Sequence, residues 1–440
     1  MARTSYTARS QSQQWIAAVR VLVLGAGVVG VTCAWYLRAA GHQVTVVERQ
    51  NGVARETSFA NGGQISVSHA EPWANPAAPG KVAQWLGRED APLLFRPRLD
   101  FDQWAWGVAF LRECLPTRTA DNTRQLVALA LHSRALLKQL RADLALNYHH
   151  VELGILHFYT AHADYQVAKK SAALMRTLGC DRRSISAAEA LSLEPALRSV
   201  AARIVGADYC AEDESGDAHE FTMQLAQRCL QHEVKFHFNT TVHRLRIVDS
   251  RCQGAEVFQQ QGSAPGVPTV LETDAVVACL GVQTPALLKP LGIRLQVVPA
   301  KGYSATFDII DAARAPSISL TDDEYKIVFS RFGNRLRVAG TVELGGVGIE
   351  LNPARCEALR RRTEELFPRA CDFSQPRYWA GLRPLTPSNV PYLGESRIKG
   401  LYLNTGHGTL GWTLAAGSGE LIANLVADRP TAVPLRSLVA

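Results

Sequence analysis

Three groups of glycines stand where backbone must pass close to something. The first is Gly25-Ala26-Gly27-Val28-Val29-Gly30. In that spacing the first glycine permits a tight turn, the second lets backbone approach a pyrophosphate, and the third lets a helix pack against a strand. A helix opening there offers unpaired N–H groups and a partial positive charge to phosphates. Glu48 follows Gly30 by 18 residues, close to the spacing of an acid that accepts ribose hydroxyls. These parts coincide and predict a dinucleotide site; the plain alternative is an ordinary strand–helix–strand crossover. The second glycine group ends the run Thr273 to Gly281, and the third is Gly406-His407-Gly408-Thr409-Leu410-Gly411. Backbone N–H groups of such a turn can face the pyrimidine end of a flavin. Three separated glycine sites fit FAD better than NAD. The segment Glu56 to Ser66 adds hydroxyls, an amide and two glycines that would line a flavin, although alone it reads equally as a polar loop.

The elements that must position these residues follow from the apolar pattern. Arg20 to Leu24 is a short apolar run of the buried-strand type. Val31 to Ala40 predicts a helix ended by Gly41, and Gln43 to Val47 a second strand. Residues 71–118 change character, with Trp73, Trp85, Trp104 and Trp106 among prolines. A long helix is expected from about Asp121 to Leu146, where leucines recur at three- and four-residue spacing. Residues 164–179, 186–193, 221–232, 354–366 and 412–426 also read as helices. Strands are expected at 151–159, 234–238, 242–248, 274–280 and 401–404, and in succession over 296–345. Gln259 to Pro268 reads as the most exposed loop.

Composition excludes several classes. The chain has 440 residues, 47% hydrophobic and 20% charged, as in ordinary folded proteins. Nine cysteines without a C-x-x-C pair give no disulfide scaffold and no zinc site; packing residues in a reducing cytoplasm are expected. Of the formal net charge of +7, Arg3, Arg9 and Arg20 supply three charges in a stretch with no acid. The rest is scattered, so nucleic acid is not expected as a partner. Residues 1–19 read as a disordered extension. No run of 18 apolar residues predicts a membrane span. Peripheral contact with a bacterial inner membrane is a further expectation, motivated by Gln103 to Leu111, set against plain packing of those aromatics.

Longer stretches carry a resemblance. They are GAGVVG at 25–30, Ala34-Trp35-Tyr36-Leu37, ETSFANGGQIS at 56–66, Pro72-Trp73-Ala74 and Lys301-Gly302-Tyr303-Ser304. Others are Asp323 to Ile327, Trp379 to Pro384 and Asn404 to Thr413. The sequence resembles the D-amino acid dehydrogenase family of the small-subunit type. That family lies within the wider group of D-amino acid oxidase, glycine oxidase and sarcosine oxidase. The likeness runs from about residue 20 to 425; the N-terminal extension and the 259–268 loop depart from it.

The resemblance implies an α/β fold: a Rossmann-like FAD-binding domain of the glutathione-reductase type, interleaved with an α+β substrate domain holding a largely antiparallel sheet. The partition expected is 20–71, 185–295 and 380–440 for FAD, with 72–184 and 296–379 for substrate. The candidate residues for non-covalent FAD binding are Gly25, Ala26, Gly27, Val28, Val29, Gly30, Glu48, Arg49, Thr57, Ser58, Asn61, Gly62, Gly63, Gln64, Val242 and Gly281. Gly406, His407, Gly408, Thr409, Leu410 and Gly411 complete that set.

The implied reaction is oxidative deamination of D-amino acids such as D-alanine to 2-oxo acids and ammonia. Electrons would leave to a quinone or respiratory-chain acceptor. A guanidinium grips a carboxylate in a planar two-bond contact, and Arg383 in Gly-Leu-Arg-Pro matches the carboxylate-binding arginine of the wider group. Tyr325 resembles the group's substrate-binding tyrosine, and Tyr303 is a weaker second candidate. Hydride transfer from Cα to flavin N5 needs no protein acid or base, so no catalytic side chain is expected; His407 is assigned to orientation or electrostatics. The competing readings are an oxygen-using D-amino acid or secondary-amine oxidase of the same fold, and a non-catalytic FAD- or RNA-associated protein.

Overall fold

A computed structural model describes residues 18–85, 92–261 and 264–434. Of the expected N-terminal extension, residues 1–17 lie outside the described residues. A six-stranded sheet forms first in the chain. Its spatial order is Tyr392–Glu395, Leu401–Thr405, Ala275–Ala278, Arg20–Leu24, Gln43–Val47, Lys235–His237. All neighbours are parallel except the first pair. Parallel strands buried on both faces need apolar residues at every position, and Val21-Leu22-Val23-Leu24 supplies them. Val21 and Val23 pack under the helices Val28–Ala39, Ala218–Gln231 and Gly411–Val426. Leu22 and Leu24 face the other way, onto the three-stranded sheet Thr240–Val248, Arg251–Gln261, Ala264–Glu272.

That last sheet corrects one expectation. Residues 259–261 and 264–268 do not form a loop but lie on paired antiparallel strands, with Phe258 opposite Pro268 and Gln260 opposite Pro265. Strand Ala264–Glu272 pairs on one side only, and an edge strand tolerates prolines whose missing N–H faces solvent.

The second large sheet has nine strands. Along it lie Arg377–Leu385, Val298–Asp308, Arg335–Leu344, Ile327–Phe332, Ser319–Asp322, Ile155–Tyr159, Gly206–Cys210 and Arg182–Ile185, with Leu93–Phe95 beside Arg335–Leu344. It is largely antiparallel. Its core, including Phe158, Phe307, Phe329 and Leu359, is closed by the helix Pro353–Leu366. Gly206–Cys210 belongs to this sheet, whereas the partition read from sequence puts 185–295 wholly with the cofactor. The long helix Pro116–Leu144 packs on the last helix of the first sheet, where the Gly417 N–H donates to Ser133 Oγ at 3.0 Å. It starts earlier than its leucine pattern because Pro116 serves as the first helical residue. Two helices in the Trp-rich stretch, Ala78–Trp85 and Phe101–Glu113, had no sequence signal.

Candidate active site

The two sheets meet around one cavity of about 990 Å³. At one end lie the C-terminal ends of the parallel strands, where α/β sheets bind ligands. The helix Val28–Ala39 begins at once after Gly27, three residues before its apolar pattern announces it. Gly30 is demanded by contact: a Cβ there would stand 1.9 Å from the Gly25 carbonyl oxygen. The helix N-terminus has no cap from its own first residue. The Val28 N–H donates instead to Ser58 Oγ at 3.0 Å. Glu48 ends the second strand. Its carboxylate accepts from the Ala26 N–H at 2.8 Å and the Gln50 N–H at 2.9 Å. Burial raises its pKa above the ordinary carboxylate value, opposed by those two bonds.

The remaining candidates separate by position. Gly25, Gly27, Val28, Val29, Glu48, Arg49, Thr57, Ser58, Asn61, Gly62, Gly63, Gln64, Val242 and Gly281 line the cavity, and so do all six residues Gly406–Gly411. Ala26 and Gly30 do not; Ala26 holds Glu48 and Gly30 holds the helix to the turn. Arg49 Nε donates to Glu56 Oε1 at 2.6 Å. Thr57 Oγ1 donates to the Leu382 carbonyl at 2.8 Å, which ties the segment to the strand that carries Arg383. Asn61 Oδ1 accepts from the Gly63 N–H at 2.9 Å. The Gln64 amide turns away to Ser319 Oγ and the Leu320 carbonyl. Segment 66–68 is fixed by Asp213, whose carboxylate accepts the Val67 and Ser68 N–H groups.

The last glycine turn leads into the helix Gly411–Val426, also without a side-chain cap. His407 sits in that turn with its Nε2 3.1 Å from Ser418 Oγ. Burial lowers its pKa to about 3, so it is neutral and cannot be the cationic partner of an anion. A single bridge joins His407 to Leu385 and so couples this turn to the Arg383 strand.

Arg383 lines the cavity on the other wall. Its Nη1 donates to the Thr341 carbonyl at 3.2 Å, and no carboxylate among the described residues pairs with it. Burial alone lowers its pKa to about 10. The guanidinium rests on the backbone of Gly302, where a Cβ would meet Arg383 Cζ at 2.3 Å. Tyr303 also lines the cavity, but its hydroxyl is committed, donating to Glu343 Oε2 at 2.7 Å. Burial and that bond to Glu343 raise its pKa.

Tyr325 is not brought to the cavity. It is 41% exposed, and the Arg362 guanidinium covers its ring at 4.0 Å from the centroid. Lys326, in a left-handed conformation, turns the chain at this point, and Asp323 and Lys326 line the cavity where Tyr325 does not.

Several lining residues had not been singled out. Asn404 is buried and neither atom of its amide has a partner. A polar side chain at the end of a buried parallel strand, two residues before the glycine turn, was the available signal. His69 and His157 stack at 5.6 Å between centroids. Thr341 has φ +52°, rare for a β-branched residue, and is the extra residue where the pairing with Gly302 and Tyr303 shifts register.

These residues fit an FAD. Two helix N-termini without a cap from their own first residue open on the cavity, a carboxylate ends the strand beside the first of them, and an orphaned amide sits two residues before the glycine turn. A scan against family models decides the matter: the FAD dependent oxidoreductase model matches residues 20–425. The chain belongs to that family. FAD is its cofactor, and the chain is an FAD-dependent oxidoreductase. A D-amino acid dehydrogenase of Dechloromonas aromatica is 53% identical over 93% of this chain and 97% of its own. One from Paramagnetospirillum magneticum is 46% identical over 96% and 98%. Among solved structures, glycine oxidase from Geobacillus kaustophilus matches with TM-score 0.73 at 22% identity, over 96% of this chain and 98% of that one. L-proline dehydrogenase from P. horikoshii matches with TM-score 0.73 at 17% identity, over 95% of each. These two likenesses show the fold. No helix among the described residues is long and apolar enough to cross a membrane.

Proposed function

We propose that the chain oxidises D-amino acids such as D-alanine to 2-oxo acids and ammonia and delivers the electrons to a quinone-type acceptor at a membrane surface, the body of the protein being cytoplasmic. The observation that carries the substrate class is Arg383. A buried cation without a carboxylate is costly, and an anionic ligand relieves that cost. A planar guanidinium held by Thr341 and Gly302 binds an α-carboxylate in one orientation and so fixes where Cα and its hydrogen lie. The D-hand rests on the dehydrogenase relatives, at up to 53% identity.

FAD, when bound, would supply the two-electron acceptor for the hydride that leaves Cα. The chain's own residues bind and orient. Val28–Val29 and Glu48 would hold pyrophosphate and ribose. The Gly406–Gly411 turn would present N–H groups to the pyrimidine ring, and neutral His407 keeps that turn in place through Ser418. Arg383 holds the substrate, while Tyr303 and Glu343 buttress the sheet beside it. No side chain is needed as acid or base once the amine is neutral, because imine hydrolysis proceeds in water.

Anaerobic addition of D- or L-alanine to the purified holoenzyme tests this reading. The flavin absorbance bleaches with the D form and not the L form, and a quinone restores it faster than air does. Bleaching by L-alanine removes the assignment of hand. Faster recovery in air makes the enzyme an oxidase.

A further inference from the structure

Another arginine of the antiparallel sheet is buried without reaching the cavity. Arg337 lies on strand Arg335–Leu344, two residues before Ala339, so both side chains leave the same face. Ala339 lines the cavity; Arg337 is buried and does not. Its Nε donates to Thr306 Oγ1 at 2.6 Å and its Nη1 to the Asn61 carbonyl at 3.2 Å. The guanidinium stands over the ring of Phe332, 5.6 Å from its centroid. Among the described residues no carboxylate forms an ion pair with it. Asp217, the acid whose charge it feels, is taken up by Arg335 and by the N–H groups of His219 and Glu220. Burial lowers the Arg337 pKa to about 10. At neutral pH the group is therefore a desolvated cation, which a fold retains at a cost.

The segment Asn61-Gly62-Gly63 separates this charge from the cavity, and all three residues line it. Two of its carbonyls are turned down onto the sheet. Asn61 accepts from Arg337, and Gly62 accepts from Ser330 Oγ at 2.7 Å. Ser330 stands opposite Arg337 on the neighbouring strand. In a trans peptide the N–H points opposite to the carbonyl, so the Gly62 N–H is directed away from the sheet. Among the described residues nothing accepts it, whereas the next N–H, of Gly63, is taken by Asn61 Oδ1. The Asn61–Gly62 peptide thus has its carbonyl on a buried cation and a free donor on the other side. A carbonyl polarised in this way makes the N–H of the same peptide a stronger donor.

Ser58, bonded to the Val28 N–H, stands at one end of this segment, and Asn61 and Gly62 stand on the sheet that carries Arg383. A substrate held by Arg383 must meet the redox-active ring of FAD at that sheet, so the placing of the ring rests on the proposed function. We propose that Arg337 is a positioning residue for the reactivity of the flavin: its buried charge, relayed through the Asn61–Gly62 peptide, raises the electron affinity of the ring and so speeds the departure of hydride from Cα. A fixed cation aimed at a place where negative charge develops needs no reorganisation during the reaction.

The test reads the flavin of the holoenzyme and not turnover alone. Arg337→Gln removes the charge, and Arg337→Lys keeps it. Thr306→Asp sets a carboxylate against Nε and cancels the charge while the guanidinium stays in place. The midpoint potential, from anaerobic titration against a reference dye, should shift negative in Arg337→Gln and Thr306→Asp and stay near the parent value in Arg337→Lys. The dissociation constant for sulfite, which adds to electron-poor flavins, should rise by about tenfold or more in the first two variants. The rate at which D-alanine bleaches the flavin should fall in the same order. Loss of flavin from Arg337→Gln leaves the decision to Thr306→Asp. Parent potential and parent sulfite affinity in Thr306→Asp overturn the proposal. So does an equal negative shift in Arg337→Lys and Arg337→Gln, since shape and not charge then sets the potential. A parent that D-alanine fails to bleach strikes the proposed function, whereas the potential and sulfite series is read without any amino acid.

Discussion

Arg383 concentrates the chemistry of the site in one group whose charge state is unsettled by its own surroundings. Burial lowers its pKa to about 10, so the free enzyme carries the cation below that pH and loses it above. A carboxylate inhibitor lacking an amine reports this without interference from substrate titration. Its Kd should be flat at lower pH and rise about tenfold per unit once pH passes the free guanidinium's pKa. A Kd unchanged through that range would show that the guanidinium keeps its charge there despite burial, and the Arg383 substitution then decides the anion site. Arg383→Lys keeps a charge but loses the two-bond plane, and its kcat/KM should drop by roughly two orders of magnitude with flavin content unchanged. Tyr325→Phe should be nearly silent, within about twofold in kcat/KM, the range of exposed changes. A loss above tenfold would return that ring to the site. The arginine was legible because residue type and a Gly-Leu-Arg-Pro context point the same way. The position of Tyr325 was not, because Arg362, on a helix that follows it at Pro353–Leu366, holds its ring. Nothing local in the sequence records that contact.

The elements around the cofactor depend on contacts that leave no slack. At Gly30 a Cβ would overlap the Gly25 carbonyl oxygen at 1.9 Å and approach Cys279 Cβ at 3.4 Å. The turn cannot retreat, because the Gly25 N–H donates to the Val47 carbonyl at 2.8 Å. Gly30→Ala must therefore push the helix off the strand, an overpacking cost of about 1–3 kcal/mol or more. Because the displaced part is the pyrophosphate end, flavin loss should exceed loss of fold. The measurement is the ratio of flavin to protein absorbance after dialysis, beside far-UV circular dichroism. Full flavin retention would mean that the helix relaxes without moving its N-terminus. This crossover could be read from sequence because its apolar strand, glycines and cap lie within thirty residues. The helix Phe101–Glu113 could not, because apolar side chains on both faces erase the amphipathic period on which such a reading relies. The strand pair Arg251–Gln261 and Ala264–Glu272 was hidden by its prolines, which an edge strand tolerates and a sequence reading counts as loop.

At the scale of the whole chain, neither large sheet contains the site. The parallel sheet supplies Gly25, Glu48, Gly281 and the Gly406–Gly411 turn, and the antiparallel sheet supplies Arg383, Tyr303 and Thr341. The resemblance implied two interleaved units but could not say that Gly206–Cys210 joins the antiparallel sheet, since strand pairing across distant segments has no local signature. A cofactor seated between the sheets binds the folded chain and not the unfolded one, and so stabilises by about 4 kcal/mol when present at a thousandfold excess over Kd. If it bridges both walls, that energy is shared by both. Removing FAD should then lower Tm and speed amide exchange in Arg20–Leu24 and in Val298–Asp308 and Arg377–Leu385 together. The strands Arg251–Gln261 and Ala264–Glu272, whose described residues lie outside the cavity lining, should change least. Exchange that rises only around Gly25 to Glu48 would mean that the antiparallel sheet stands without the cofactor. The Arg383 wall would then be preformed, and carboxylates should bind the apoenzyme as tightly as the holoenzyme. Cofactor-coupled walls require the opposite: inhibitor affinity that appears only as FAD is restored.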